Sequence, residues 1–291
     1  MELAPFSRDA GIAATKQQKT FLRFNLVQLA LLILAAVAAS TKLYIGSSDV
    51  DWSGVIAATF FGVGLLLRVV MMQRKDEDAW YSARNAAEVS KSLCFQYAFG
   101  AVGYERSAPE KTVDARFIDA FGTIGRNVLL ERATIRTDGY SEVTPDMRAV
   151  RQLDFDEAKT QYFHERIEDQ EHYYTTRAAF HLRRSRLWML LMLVCQVAGM
   201  FFSLMKAVTD IGPVGGIVGI LSAFAAAFVA WSQLRQHAML SSQYQNQAVQ
   251  MRDYGRRIQL IDEGEWPEYV TAVEGALIAE HSRWQGFQGK R

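Results

Sequence analysis

The protein has 291 residues, of which 50% are hydrophobic, 22% charged and 12% aromatic, and its 32 Lys and Arg residues nearly balance its 31 Asp and Glu residues. The apolar fraction and the presence of only five Pro residues exclude a disordered or collagen-like chain, and a formal net charge of +1 gives no support to a nucleic-acid-binding protein. Two cysteines, Cys94 and Cys195, exclude a disulfide framework and a CxxC metal site.

Four segments are apolar over a length that can cross a lipid bilayer. A helix needs roughly 20 apolar residues to cross about 30 Å of hydrocarbon. The predicted spans are residues 24–45, 52–73, 187–207 and 211–234. A buried helix of a soluble protein rarely keeps every face apolar over such a length, whereas a helix in lipid must. The sequence therefore predicts a polytopic membrane protein with four transmembrane helices, arranged as two hairpins.

The first apolar segment has an alternative interpretation. Lys16, Lys19 and Arg23 precede it and Ala36-Val37-Ala38 ends it, which is typical of a secretory signal with a cleavage site. Its apolar run is longer than a signal usually has, and a second apolar segment follows within a few residues. A hairpin is therefore favoured, and cleavage would give a mature chain starting near Ser40.

Lys and Arg residues flank the spans unequally. Those outside the two hairpins are Lys16, Lys19, Arg23, Arg74, Lys75, Arg177, Arg183, Arg184, Arg186 and Arg235. The two short connectors between paired spans contain Lys42 and Lys206 against Asp49, Asp51 and Asp210. Positive residues favour the cytoplasmic side, so both connectors are predicted to be extracytoplasmic, with both termini and the large middle region cytoplasmic.

Helices are predicted to continue beyond the spans. Asp154 followed by Glu157 resembles a capping box, and no Gly or Pro interrupts the chain from there to Gly199, so one helix of about 50 residues, roughly 75 Å, is expected. The second span is predicted to continue to about residue 99, and the fourth to about residue 254. Residues 106–155 read as a cytoplasmic linker with one or two short helices, one starting at Thr144-Pro145. The fold class is therefore all-α.

Two similar units follow one another along the chain. The first is predicted over residues 1–105, with its stalk ending at about residue 99, and the second over residues 156–291. Each has a span, a short acidic connector, a second span and a charged helical extension. Both copies face the same way, which makes this a parallel repeat and disfavours transporters built from inverted repeats.

The spans contain few polar residues but regularly spaced small ones. The candidate pore-lining or interhelical polar residues are Asn25, Gln28, Arg68, Gln196, Ser203 and Ser222. The candidate helix-packing residues are Gly54, Ala58, Gly62, Gly199, Gly215, Gly219 and Ala223. Small residues at four-residue spacing allow helices in lipid to approach closely, either within one chain or between subunits. No carboxylate lies in the middle of a span, which disfavours proton relays and cation-coupled carriers. For Gln28 and Gln196, an interhelical hydrogen bond is favoured over pore lining.

No catalytic motif, metal site or cofactor site is predicted. His164, Glu168 and His172 share one helix face, but the two histidines are two turns apart, too far to hold one ion from a single helix. A solvated helix face accounts for them. The protein is not predicted to be an enzyme.

The helical extensions carry stripes of aromatic and charged residues at helical spacing. The candidate stalk or signal-sensing residues are Trp80, Arg84, Glu88, Lys91, Arg166, Gln170, Tyr174 and Arg177. Exposed ion pairs on helices contribute only a few tenths of a kcal/mol each. Packing between stalk helices is therefore favoured over a ligand site.

Three runs resemble a known family: WYSARNAAEVSKSL from Trp80, YFHERIEDQEHYYTTRAAFHLRRSRLWMLL from Tyr162, and EYVTAVEGALIAEHSRW ending at Trp284. They are similar to the SLATT (DUF4231) family of two-transmembrane effector domains, found beside SMODS nucleotidyltransferases and SLOG domains in bacterial conflict systems. The junction TPDMRAVRQLDFDEAKTQYFHERIEDQ resembles that of tandem members. The resemblance implies an inner-membrane effector that responds to a nucleotide-derived ligand, or to a separate sensor protein, and depolarises or damages the membrane during phage infection.

Three functional hypotheses follow. The leading one is a homo-oligomeric pore or channel in the lipid bilayer, acting in a nucleotide-signalled antiphage system. The alternative is a membrane-anchored helical scaffold that recruits a cytosolic enzyme and forms no pore. A small-molecule carrier is the third and would require a polar cavity at the middle of the bilayer within one chain.

Overall fold

A computed structural model describes residues 1–44, 50–74, 76–130, 142–208 and 214–288, without the side chains of residues 76–77, 126–130, 214–215 and 280–288. The helices are α1 Pro5–Ala39, α2 Trp52–Arg74, α3 Asp76–Phe99, α4 Glu110–Leu130, α5 Pro145–Arg151, α6 Phe155–Tyr162, α7 Asp169–Val208, α8 Val214–Arg235, α9 His237–Arg257 and α10 Trp266–Gln288. Within the described ranges the only β-type pairing is one isolated bridge between Tyr44 and Asp51, so the all-α fold class is confirmed. Asp49, Lys75, Asp210 and the surroundings of Gly215, which entered the predictions, lie outside the described residues.

Two helix starts form as the sequence predicts. The Thr144 hydroxyl accepts a hydrogen bond from the backbone N–H of Met147 at 3.2 Å, and Pro145 occupies the first helical position. The Asp154 carboxylate accepts one from the backbone N–H of Glu157 at 2.8 Å. Both side chains satisfy N–H groups that a helix leaves unpaired at its start.

The helix that begins at Phe155 continues to Val208 over 54 residues. It is not α-helical throughout, since Phe163–Glu168, between α6 and α7, is a π-helix. A π-helical turn holds more residues than an α-helical one and is frequently found at functional sites.

Two of the predicted helices differ from the observed ones in where they end or break. The first helix ends at Ala39, where the Ser40 hydroxyl donates to the Ala36 carbonyl at 2.7 Å, short of the predicted end at residue 45. The predicted helix from the fourth span to residue 254 exists as a helical run from Gly216 to Leu260, but it is interrupted at Gln236, which has φ +45° and separates α8 from α9. Neither Gly nor Pro marks this break.

The region expected to be a linker with short helices contains α4, which has 21 residues. Gly122 and Gly125 lie inside this helix and do not break it. Its buried side chains Val113, Phe117 and Phe121 follow four-residue spacing, so one face packs on a neighbour. This packing outweighs the roughly 1 kcal/mol by which each Gly disfavours a helix relative to Ala.

Contacts divide the chain into two units, and each combines parts of both halves of the sequence. The helical body comprises residues 1–21, 75–173 and 247–291. The span unit comprises residues 22–74 and 174–246. The two predicted sequence repeats are therefore not separate compact structures.

In the helical body, α3 is the central helix and packs against α4, α5 and α10. The interior is aromatic, with Phe99 and Tyr162 having ring centroids 4.9 Å apart and Tyr97 and Phe117 4.7 Å apart. The N-terminal segment contributes Phe6, whose ring meets Phe121 edge-on at 5.9 Å. Phe6 therefore belongs to the core of the body.

In the span unit, the four candidate spans have long apolar stretches that are hardly buried. Between 0 and 11% of the residues in the most apolar window of each span are buried by the chain itself. Intrachain packing does occur, as Trp188 contacts Phe228 and Trp231 at centroid distances of 5.8 and 6.3 Å. Most of the apolar surface of these helices is thus left for lipid or for other protein copies.

Candidate functional site

The helical body contains a buried ion pair between Arg166 and Glu274. Arg166 belongs to the π-helical stretch and Glu274 to α10. The guanidinium donates from Nε to Oε1 at 2.8 Å and from Nη2 to Oε2 at 2.5 Å. The side chains are 3% and 0% exposed. Burial lowers the pKa of Arg166, but the carboxylate beside it raises this pKa by more, so the guanidinium remains charged.

Two hydroxyl groups complete the hydrogen bonding of the carboxylate. Tyr162 donates to Oε1 at 2.9 Å, and Ser92 donates to Oε2 at 2.7 Å. Burial, with the charge of Glu274, raises the pKa of Tyr162 well above its ordinary value, which keeps the phenol protonated as a donor. The Phe95 ring lies 4.5 Å from the guanidinium carbon. Each carboxylate oxygen therefore accepts two donors, as a buried charge requires.

A cavity of about 430 Å³ lies in the helical body, near this cluster. Lys91, Phe95, His164, Glu165 and Asp169 are among its lining residues. Burial and then the charge of Arg166 lower the pKa of Lys91. The lining carries both cations and carboxylates, so its charge alone does not select an anionic ligand.

The predicted sensing residues of α3 lie in the helical body. Arg84 and Glu88 form the predicted i,i+4 ion pair at 2.7 Å, and both are partly exposed. Trp80 stacks on Phe21 at a centroid distance of 6.2 Å. The Arg84–Glu88 pair lies within α3, whereas the stack of Trp80 on Phe21 joins α3 to α1.

The second predicted stripe is divided between the two units. Arg166 and Gln170 belong to the helical body, where Gln170 donates to the Asp169 carboxylate at 3.1 Å. Tyr174 and Arg177 belong to the span unit, where Tyr174 stacks on Tyr244 at 5.9 Å. The expectation that the charged members of the stripe are exposed is wrong for Arg166, which the aromatic core encloses.

The predicted polar residues of the spans differ in exposure. Arg68, Gln196, Ser203 and Ser222 are exposed, whereas Asn25 and Gln28 are half-buried. The two serine hydroxyls each donate to the carbonyl four residues earlier, at 2.7 and 2.9 Å. Such internal bonds satisfy a hydroxyl in an apolar environment.

The predicted small packing residues form two groups. Gly54, Gly62 and Gly199 have open space where a Cβ atom would be, and Ala58 is exposed. Gly219 lies near Ser40, where a Cβ would be 3.4 Å from the hydroxyl oxygen, and Ala223 is half-buried. Gly216, which was not among the predicted packing residues, also packs closely within the chain. A Cβ added to it would be only 2.7 Å from the Ser40 carbonyl oxygen.

Two buried polar features were missed at the sequence level. Glu274 is the single carboxylate on the apolar face formed by Val270, Val273 and Leu277, and that isolation could have marked it. The second feature lies in the span unit, where His181 of α7 and His237 of α9 approach with their Nδ1 atoms 2.8 Å apart. Nothing in their sequence spacing pairs them, since α8 separates them along the chain.

Metal-ligating side chains do not converge anywhere in the described part of the chain in groups of three or more. His164 instead lies against Glu168, with Nδ1 2.7 Å from Oε2. This is a partly exposed pair on one helix face, as spacing suggests.

Four helices long and apolar enough to cross a membrane, in a described chain that is otherwise helical, define a multi-pass helical membrane protein. Residues 5–159 match the family model described as SMODS and SLOG-associating 2TM effector domain 3, and residues 162–284 match that of SMODS and SLOG-associating 2TM effector domain 1. The chain therefore belongs to the SLATT family as a tandem of two such domains. Comparisons with curated proteins and with solved structures find no match.

Proposed function

We propose that the protein is an oligomeric, pore-forming membrane effector of a bacterial nucleotide-signalled conflict system, such as an antiphage system. It is a multi-pass protein of the inner membrane, with the helical body and both termini in the cytoplasm. The family descriptions supply the effector role, and the exposed faces of the spans support the oligomer.

The observation that carries the proposal is the polar and small-residue face of α7. Gln196, Gly199 and Ser203 are three and four residues apart and share one side of the helix. The Gln196 side chain is exposed. An amide facing hydrocarbon costs about 4 kcal/mol or more when it has no partner, so this face is more stable against another subunit or a water-filled pore.

The small residues of α2 support contact between copies. Gly54, Ala58 and Gly62 form an exposed ridge that no part of the described chain covers. Gly64 lies on another face and is buried, and a Cβ added to it would be 4.0 Å from the Leu31 Cβ atom. The helix thus has one close-packing face used within the chain and a second one that is free for a neighbouring copy.

The orientation is supported by the distribution of arginines. Residues 174–186 contain four Arg and no carboxylate, and they precede the third span. Cytoplasmic segments beside membrane spans have such an excess of positive residues. The helical body, on that side, is then available to a nucleotide-derived ligand or a sensor protein.

Ion flux from liposomes tests the proposal. The full-length protein is reconstituted into vesicles loaded with a fluorescent reporter, with and without cyclic nucleotides and ADP-ribose derivatives. We expect flux that rises more steeply than linearly with protein per vesicle. We also expect its rate to change in Gln196→Leu but not in Leu191→Met, which alters a half-buried position on another face of the helix. Absence of flux under every condition, together with a stoichiometric cytosolic enzyme in pull-downs, would instead support the scaffold.

A further inference from the structure

The span unit has a strong imbalance of charge at one end. Its carboxylates are Asp49, Asp51 and Asp210, and all lie in the short connectors between paired spans. The opposite ends of the spans carry arginines without any carboxylate of the same unit near them in sequence. A concentrated charge of one sign requires counterions or ligands of the other.

Two of these arginines converge on one place. Arg184 of α7 follows His181 by three residues and shares its helix face, while Arg235 ends α8 two residues before His237. The two histidines are 8% and 3% exposed and contact each other directly. The histidine pair therefore brings the helices that carry the two guanidinium groups together.

Aromatic rings hold both guanidinium groups. The Arg184 guanidinium carbon lies 5.5 Å from the centroid of Phe180, and that of Arg235 lies 6.0 Å from the centroid of Trp231. Arg235 is half-buried and Arg184 is exposed. Stacking on a ring restricts an arginine side chain and leaves its N–H edge available for hydrogen bonds.

The surroundings of Arg184 and Arg235 are positively charged. Burial and then the positive charge of Arg184 lower the pKa of Arg235. Burial, and then the charge of Arg235, lower the pKa values of both His181 and His237 to about 4. Arg177 lowers the pKa of His181 further, and His181 and then Arg184 lower that of His237 further. Throughout the part of the chain that the structure describes, no carboxylate forms an ion pair with Arg184 or Arg235.

We propose that Arg184 and Arg235 bind the phosphate of an anionic phospholipid headgroup at the membrane boundary. A phosphate accepts bidentate hydrogen bonds from guanidinium groups, and one bound between the two would remove their mutual repulsion. The site lies where α7 enters and α8 leaves the predicted spans, beside Trp231, which is the level of lipid headgroups. This inference holds whether or not the spans form a pore.

Lipid titration of the delipidated full-length protein in detergent tests the site. Thermal unfolding and native mass spectrometry are recorded with phosphatidylglycerol, phosphatidylcholine or glycerol 3-phosphate added at equal concentrations. We expect phosphatidylglycerol to raise the melting temperature saturably and to remain bound, while the other two do neither. In Arg184→Gln/Arg235→Gln the half-saturating lipid concentration should rise about tenfold or more, since two charge-assisted contacts are lost.

Arg183→Gln/Arg186→Gln is the matched control, because it removes the same charge from another face of α7 and should shift the half-saturating concentration less than twofold. Equal effects of the two double variants would mean diffuse attraction and would overturn the site. Equal stabilisation by phosphatidylcholine would overturn the selectivity for anionic lipid, and equal stabilisation by glycerol 3-phosphate would identify a soluble anion as the ligand. If the Gln variant does not fold, Arg184→Lys/Arg235→Lys keeps the charge but not the bidentate geometry, and wild-type affinity in it would contradict the proposal.

Discussion

Removal of the buried carboxylate Glu274 tests the electrostatics of the helical body. In Glu274→Ala, the Arg166 guanidinium loses both of its carboxylate hydrogen bonds, at 2.8 and 2.5 Å, in a position that is 3% exposed. Leaving one partner of a buried ion pair costs about 3–5 kcal/mol. A domain of 150–250 residues loses about 2–4 °C per kcal/mol, so the melting temperature should fall by roughly 6–20 °C.

The assay is thermal unfolding of the full-length protein in detergent, followed by tryptophan fluorescence. Trp266 reports on this region, since its ring lies 5.5 Å from that of Tyr162 and its indole N–H donates to the Phe99 carbonyl at 2.7 Å. Glu171→Ala, which breaks a partly exposed pair with Arg252 at 2.8 Å, is the control and should change the melting temperature little.

The double variant Arg166→Met/Glu274→Leu separates charge from packing. Replacing both charges with apolar side chains of similar size is often neutral or stabilising, so most of the loss should be recovered. The remainder reflects the hydroxyls of Tyr162 and Ser92, which lose their acceptor. A single variant that melts within 1 °C of the wild type, or a double variant that melts below the single one, would refute this reasoning.

Three further predictions concern other positions. The pKa values of His181 and His237 are lowered to about 4 from an ordinary 6.5, so the folded state resists protonation of these side chains. The free energy of unfolding should therefore be constant above pH 6.5 and fall as the pH drops from 6.5 to 4. His181→Gln/His237→Gln should flatten this decline in melting curves recorded at several pH values, and an unchanged slope would contradict the assignment. Burial raises the pKa of the Cys94 thiol to about 12, so maleimide at pH 8 should not label Cys94 in the native protein but should label it in denaturant, as peptide mass mapping would reveal. Gln236→Gly should stabilise the protein by about 1 kcal/mol, because φ +45° is strained for a residue with a Cβ atom. Gln236→Val should destabilise the protein for the same reason. The opposite order of melting temperatures would count against backbone strain at Gln236.

The elements with strong local signals could be predicted from the sequence. The apolar spans require composition and length alone, and the starts at Thr144 and Asp154 require only the chemistry of capping. The Arg84–Glu88 pair follows from four-residue spacing on one helix. Each of these depends on residues close together in the chain.

Features that depend on distant residues could not be predicted in the same way. The partner of Arg166 is 108 residues away, so spacing suggested an exposed stripe rather than a buried pair. The histidine pair joins residues 56 positions apart, and the break at Gln236 has no Gly or Pro to mark it. Contacts also combine parts of both repeats into each unit, which the order of the repeats along the chain does not reveal.

The most direct test of the proposed oligomer is disulfide cross-linking at Gln196 in native membranes. Gln196→Cys and the control Leu191→Cys are made in a Cys195→Ala background, and the membranes are oxidised before electrophoresis. The account predicts covalently linked copies for Gln196→Cys, whose side chain is exposed, and little linkage for Leu191→Cys, which is half-buried and lies on another face of the helix. Monomers at every expression level for Gln196→Cys, or equal linkage at both positions, would contradict it.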